Sequence, residues 1–141
     1  MTDALCNKVA STLSEHGMVA PGDLVVAAVS GGPDSVCMLD CLHRLSGNFH
    51  ISLIIAHFDH GLRPAEDRLE TDFVRRLSED LGLGFATNGT LPEIGPGGSR
   101  EELARIARYK FLEEVRRQYG ATRIAVGHTK DDQAETVLMR L

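Results

Sequence analysis

The apolar run Leu24-Val25-Val26-Ala27-Ala28-Val29 is followed at once by Ser30-Gly31-Gly32-Pro33-Asp34-Ser35, and then by a second apolar stretch from Val36 to Leu45. A strand with no polar position has to be covered on both faces, as the interior strands of parallel sheets are. The order of buried strand, Gly-rich turn and helix brings free backbone N–H groups and the positive end of a helix dipole to one point, which suits a phosphate group. Two glycines permit close backbone approach. Pro33 fits a first helical turn, where no N–H is needed, and Ser30 and Ser35 can add hydroxyl donors.

What the loop lacks narrows it further. It has no Lys, so it is not the loop that grips β- and γ-phosphates in kinases and related NTPases. It is not GxGxxG, so a dinucleotide site is not indicated. A plain strand-to-helix turn is the competing reading; the serine at each end and the apolar strand before it favour phosphate.

The rest of the chain repeats the alternation. Residues 3–16 read as a helix, with Leu5, Val9 and Leu13 four apart. Strand 24–29 leads to a helix over about 34–45, broken at Ser46-Gly47-Asn48. A strand over about 50–57, a polar loop over 58–66 and a helix over about 67–81 follow, the helix carrying Phe73, Val74, Leu77 and Leu81 on one side and ending at Gly82. A weak strand over 83–88 precedes a Gly/Pro-rich loop over 89–98. Ser99 and Glu102 form an S-x-x-E capping box for a helix to about Tyr119, with Leu103, Ala107, Phe111 and Val115 at i+4 steps and Gly120 as its stop. A strand, Arg123 to Gly127, leads to a last helix expected from about Asp131 to the final residue. That helix has no C-cap signal, so the chain reads as the N-terminal part of a longer protein.

Alternating strands and helices predict an α/β fold: a three-layer parallel sheet with helices on both faces. Ligands of such sheets bind beyond the C-terminal strand ends, where strand order reverses. Three polar clusters are expected on that edge: the Ser30–Ser35 loop, His57-Phe58-Asp59-His60, and Gly127-His128-Thr129-Lys130-Asp131-Asp132.

Each cluster has a chemical reading and a plainer one. Asp34 inside a phosphate loop would repel phosphate unless a cation intervenes, which suggests Mg²⁺ or a partnering Arg or Lys; otherwise it is a carboxylate favoured by the helix dipole. His57, Asp59 and His60 could bind a metal, but they lack the helical spacing and the third ligand of a zinc site, so a polar loop lining a nucleotide pocket is preferred. Asp132 and Glu135, three apart on a helix, would face one way and could hold Mg²⁺ or take a proton from an amine; helix capping by Asp131 and Asp132 is the alternative. Arg100, Arg105, Arg108, Tyr109 and Lys110 could hold nucleotide or RNA phosphate, although Glu101, Glu102, Glu113 and Glu114 neutralise much of that helix.

Net charge is −5 over 141 residues, which argues against a protein that coats nucleic acid. Neither a membrane-length apolar run nor a signal peptide is present, so a cytoplasmic location is expected. Cys6, Cys37 and Cys41 form no CxxC, and Cys37 and Cys41, one turn apart, read as small core residues rather than as a metal or redox pair.

SGGxDS after a strand resembles the loop of the PP-loop ATP pyrophosphatase superfamily. With HFDHGLRP at 57–64, SREELARIARYKFL at 99–112 and GHTKDDQAETVLMRL at 127–141, the chain resembles the tRNA(Ile)-lysidine synthase family within it. The resemblance implies ATP and Mg²⁺ as cofactors, and free lysine and an isoleucine tRNA as substrates. It implies adenylation of the wobble cytidine at C2, displacement of AMP by lysine, and a homodimer for the full-length form. It places Ser30, Gly31, Gly32, Pro33, Asp34 and Ser35 on the ATP phosphates, with His57, Asp59 and His60 lining the nucleotide. Asp34 would act with Mg²⁺, and Asp132 and Glu135 would serve the metal, or orient or deprotonate the lysine amine. Arg105, Arg108, Tyr109 and His128 would lie on the substrate side. Members of the family continue past this length with tRNA-binding modules, so these 141 residues alone are expected to be inactive, or nearly so, on tRNA.

Three other readings compete: a PP-loop thiolase of cytidine or uridine in tRNA, a synthetase of the amidotransferase type, and a non-catalytic nucleotide-binding module. The missing CxxC weighs against the first, and the 57–64 and 131–136 segments weigh against the second.

Overall fold

The computed structural model describes residues 2–17, 19–88, 100–130 and 133–139; for 2, 3, 5, 16, 100, 101, 128–130 and 133–139 it describes the backbone alone. The chain runs α1 (Thr2–His16), β1 (Leu24–Ala28), α2 (Pro33–Phe49), β2 (Ser52–His57), α3 (Pro64–Leu81), β3 (Gly84–Thr87), α4 (Arg100–Tyr119), β4 (Arg123–Lys130) and β5 (Gln133–Met139). The strands form one sheet in the order β3-β2-β1-β4-β5. The first four are mutually parallel, and β5 runs antiparallel to β4.

Helices cover both faces, as the alternation predicts. Val25, Ala27 and Val29 point to the side of α1, α2 and α3, where they pack with Val9, Leu13, Met38, Leu39, Leu42 and Val74. Val26 points to the side of α4 and packs with Phe111, Leu112 and Val115. Alternate residues of one strand therefore enter two different cores, and so β1 carries no polar position. Burying each such valine, leucine or methionine side chain stabilises the fold by roughly 1.5–3 kcal/mol. Among the described residues no helix is long and apolar enough to cross a membrane.

Several boundaries differ from expectation. The segment Ser46-Gly47-Asn48 does not break α2, which continues to Phe49. The stop is set by His50 in the left-handed region (φ 55°), and the Ile51 N–H closes the end on Ser46 O at 3.0 Å. The cost of a mid-helix Gly, about 1 kcal/mol, is too small to end a helix whose other residues are packed. Helix α3 starts three residues early because Pro64 takes its first position. Phe73, expected on the buried side of α3, is 48% exposed, whereas Val74 is fully buried. Cys41 is buried and Cys37 exposed, so only one of that pair is a core residue.

The largest correction concerns the end of the chain. The expected last helix is instead β5, whose backbone pairs with β4 from Ile124↔Met139 to Lys130↔Gln133. Strand β4 presents an edge of unpaired N–H and C=O groups, and a segment joined to it by a two-residue connection can satisfy seven positions of that edge. A short isolated helix gains less, because helix initiation is costly. The residues Gly127 to Lys130, expected as a loop, accordingly lie within β4. The 89–98 loop, the capping box at Ser99 and the pair Asp131-Asp132 lie outside the described residues.

Candidate functional site

Strand order fixes where a ligand can sit. From β1 the chain proceeds outward through β2 to β3, then returns to place β4 on the other side of β1. The crevice between the C-terminal ends of β1 and β4 is thus the switch point. The Ser30–Ser35 loop leaves β1 there.

The loop is organised by its own hydroxyls. Ser35 Oγ accepts from Ser30 N–H at 3.0 Å and donates to Gly32 O at 3.1 Å. Ser30 Oγ accepts from Gly32 N–H at 3.2 Å and lies 3.1 Å from Ser35 Oγ. Because the Ser35 proton is directed to Gly32 O, Ser30 is the donor of that hydroxyl pair. Both hydroxyl protons are used inside the loop, so the serines shape it rather than reach outward. Gly31 adopts φ 100°, a conformation costly for other residues. Gly32 caps α2 without a side-chain bond, and Pro33 follows at the first helical position. The N–H groups of Asp34 and Ser35, in the first turn, have no acceptor within the helix. Together with the helix dipole they offer donors suited to an anion. Ser35 is buried and Asp34 half-buried.

Behind the loop the strand ends are built of small residues. Ala28, Ala56 and Gly127 floor a recess of about 50 Å³ that also meets Phe58, Arg108 and Leu112. Gly127 lies against the loop itself: a Cβ there would meet Asp34 O at 3.3 Å and Ser35 Cα at 3.4 Å. A larger cleft of about 530 Å³ opens in front, bounded by Ser30, Gly32, Phe58, Arg63, Arg105 and Arg108. That volume is ordinary for a small-molecule site. Arg108 borders both spaces, and its Nε is buried with no hydrogen-bond partner in the described structure. An unpaired buried donor is costly, by about 1–3 kcal/mol, which marks a place for an acceptor. The guanidinium groups of Arg105 and Arg108 lie 5.4 and 5.1 Å from the centre of the Tyr109 ring.

The His57–Pro64 segment contributes unevenly. His57 is 2% exposed; its Nδ1 bonds Val29 O at 2.8 Å and its Nε2 faces Thr71 Oγ1 at 3.0 Å. The ring is a brace between β2, the end of β1 and α3, and is not open to a ligand. Asp59 turns inward: its Oδ1 accepts from Gly61 N–H at 2.9 Å, and its backbone exchanges bonds of 2.7 and 2.8 Å with the Asn88 amide. Of the three polar residues, only His60 borders the large cleft; its Nδ1 accepts from Leu62 N–H at 3.1 Å. Asn88, Arg63 and Glu70 are site-shaping residues that sequence reasoning did not single out. For Asn88 a signal existed in its place at the end of a parallel strand.

His128 and Glu135 are opposite each other in the β4–β5 register. Glu135 lies in a strand, so helical spacing no longer pairs it with Asp132. Among the described residues no three His, Cys, Asp or Glu side chains are grouped to hold a metal. Asp34 still suits Mg²⁺, which commonly takes one or two carboxylates and completes its shell with phosphate oxygens and water.

A lysine-free phosphate loop at the switch point of a parallel α/β sheet defines a nucleotide-binding domain of the PP-loop type. The family model for the PP-loop domain matches residues 3–141, and the chain belongs to that ATP-binding family. It is 41% identical over 138 residues to the tRNA(Ile)-lysidine synthase of Clostridioides difficile (strain 630), covering 96% of this chain and 30% of that protein. It is 40% identical over 140 residues to the enzyme of the same name from Dehalococcoides mccartyi (strain CBDB1), covering 97% and 30%. The chain thus spans about 30% of the length of these relatives. Among solved structures, the U34-tRNA thiolase NcsA from Methanococcus maripaludis, with its [4Fe-4S] cluster, superposes with a TM-score of 0.76 at 22% identity. The superposition covers 92% of this chain and 45% of that one, and it supports the shared fold.

Proposed function

We propose that this chain is the ATP-binding part of a ligase that adenylates the wobble cytidine of an isoleucine tRNA and joins lysine to it, releasing pyrophosphate and AMP. The observation that carries the reading is the buried, unpartnered Arg108 Nε beside the small-residue recess behind the Ser30–Ser35 loop. Phosphate oxygens held between loop and arginine would satisfy that donor. The relatives named tRNA(Ile)-lysidine synthase supply the substrate class.

In this reading the Gly31–Ser35 backbone seats the pyrophosphate as a unit. Bond cleavage falls at the α-phosphate, so the loop needs no lysine of the kinase type. Attack by the cytidine C2 oxygen on that phosphorus expels pyrophosphate; attack by the lysine amine on C2 then expels AMP. Asp34 and Asp132 would hold Mg²⁺, which would neutralise charge building on the departing pyrophosphate. Asp132, or Glu135 opposite His128 on β5, would orient the amine or take its proton, and Arg105, Tyr109 and His128 would line the substrate side. The net charge of −5 suits a domain that binds nucleotide and leaves most RNA contact to other surfaces, so the 141 residues alone bind ATP and form little or no lysidine. The setting is cytoplasmic.

The test is pyrophosphate release from ATP by the natural polypeptide that carries these residues, with lysine, and with and without isoleucine tRNA. Release that requires the tRNA and disappears in Asp34→Ala supports the proposal. Release indifferent to tRNA, or unchanged in the variant, defeats it.

A further inference from the structure

The Ser30–Ser35 loop carries no cation, and the arginines bordering its cleft differ in origin. Arg105 and Arg108 come from α4, on the Tyr109 side. Arg63 comes from the start of α3, on the side of the loop itself. Its guanidinium lies 2.9 Å from Glu66 Oε2, 3.7 Å from Glu70 Oε1 and 4.0 Å from Asp67 Oδ1. The stem of Glu70 in turn packs beside Gly31, where a Cβ would meet Glu70 Cβ at 3.5 Å and Cγ at 3.6 Å. Arg63 and Glu70 therefore lie together beside the phosphate loop, with Glu66 the nearer partner of the guanidinium.

A cation at this place is locally unfavourable, because the N-terminus of α3 is the positive end of its dipole. Local rules broken in this way concentrate at functional sites. The side chains are also free to exchange partners: Arg63 is 55% exposed, Glu66 64% and Glu70 42%. Exposed ion pairs are weak, whereas a guanidinium on phosphate makes paired, charge-assisted bonds.

We infer that Arg63 is the cation the loop lacks: it leaves Glu70 to grip the pyrophosphate end of an ATP seated on Ser30–Ser35. Glu70 is the competing acceptor that it gives up. The inference rests on the ATP reading above and adds a residue to which that reading gave no role.

The experiment is calorimetric titration of the chain with ATP, pyrophosphate and AMP in magnesium buffer, for the parent, Arg63→Gln, Arg63→Lys and Glu70→Gln. Thermal unfolding checks that each variant is folded. Arg63→Gln should weaken ATP and pyrophosphate by at least about tenfold, the worth of a charged hydrogen bond, and AMP by less than about twofold. Arg63→Lys, which keeps the charge without the planar fork, should fall between. Glu70→Gln should bind ATP at least as tightly as the parent, because a competing acceptor is gone. A smaller loss in Arg63→Gln, an equal loss for AMP, or weakening in Glu70→Gln would show the pair to be a surface ion pair only and overturn the inference. A parent chain that binds neither ATP nor pyrophosphate would overturn the ATP reading, and this inference with it.

Discussion

Replacing Gly127 with Ala tests whether β4 forms one wall of the phosphate loop. The added methyl would meet Asp34 O at 3.3 Å, Ser35 Cα at 3.4 Å and Asp34 C at 3.5 Å. All three are backbone atoms, so no side-chain rotation relieves the contact. Either β4 or the first turn of α2 must move by a few tenths of an ångström. Two effects compete. Gly→Ala stiffens the unfolded chain and stabilises by about 0.4–1 kcal/mol. Overpacking against rigid neighbours costs about 1–3 kcal/mol. The contact falls in the tight range against unyielding partners, so the net expectation is a loss of roughly 0.5–2 kcal/mol. The displaced atoms belong to the residues whose N–H groups are proposed to seat the phosphates, so ATP affinity should fall by about tenfold, as for one lost charged hydrogen bond. Gly47→Ala is the matched control. Gly47 sits inside α2 with nothing within 4 Å of an added Cβ, so this change should stabilise by about 0.5–1 kcal/mol and leave ATP binding alone. Urea unfolding and calorimetric titration read the two quantities separately. A Gly127→Ala protein as stable as its parent would refute the packing argument. One that is destabilised but binds ATP normally would refute the link between β4 and the loop.

Two further outcomes follow from titratable groups elsewhere. The Glu113 carboxyl is lowered from 4.5 to about 2, chiefly by its hydrogen bonds to Arg116 at 2.7 and 2.9 Å, with Arg117 adding to them. A depressed carboxyl stabilises fully above its unfolded value and loses that contribution as pH falls towards its folded one. The urea-midpoint difference between parent and Glu113→Gln should therefore be constant above about pH 4.5 and fade towards about pH 2; a difference independent of pH would contradict the pairing. In α2, burial and then the hydrogen bond to Cys6 push the Cys41 thiol up to about 12, while Cys37 is exposed. A thiol reagent at pH 8 should label Cys37 alone in the folded chain, with Cys6 and Cys41 reacting only in urea; rapid labelling of Cys41 would mean that α1 does not pack on α2 as described.

The chain's local signals determined a great deal. The apolar run at Leu24–Val29, the glycines and serine pair after it, and the i+4 spacing of α1 and α4 depend on nearest-neighbour periodicity, which sequence displays directly. They indicated the parallel sheet, its helix layers and the phosphate loop. Tertiary structure decided what depends on contacts distant in sequence. His57 is polar in composition, yet a carbonyl just past β1 and a hydroxyl from α3 consume its ring, and neither is visible from its neighbours in the chain. Helix α2 passes through Ser46-Gly47-Asn48 because packing elsewhere outweighs a small propensity cost, while β5 forms because β4 offers an edge to pair with. The same holds for Arg63 and Glu70: seven positions apart, on a solvated helix start, they acquire a place at the site only once α3 is laid beside Gly31. Sequence by itself thus pointed to the Gly-rich loop after β1 and the strand that delivers it. The sheet's strand order and the packing of α3, α4 and β4 decided which side chains surround it, because burial and electrostatic partnership are set by distance in space.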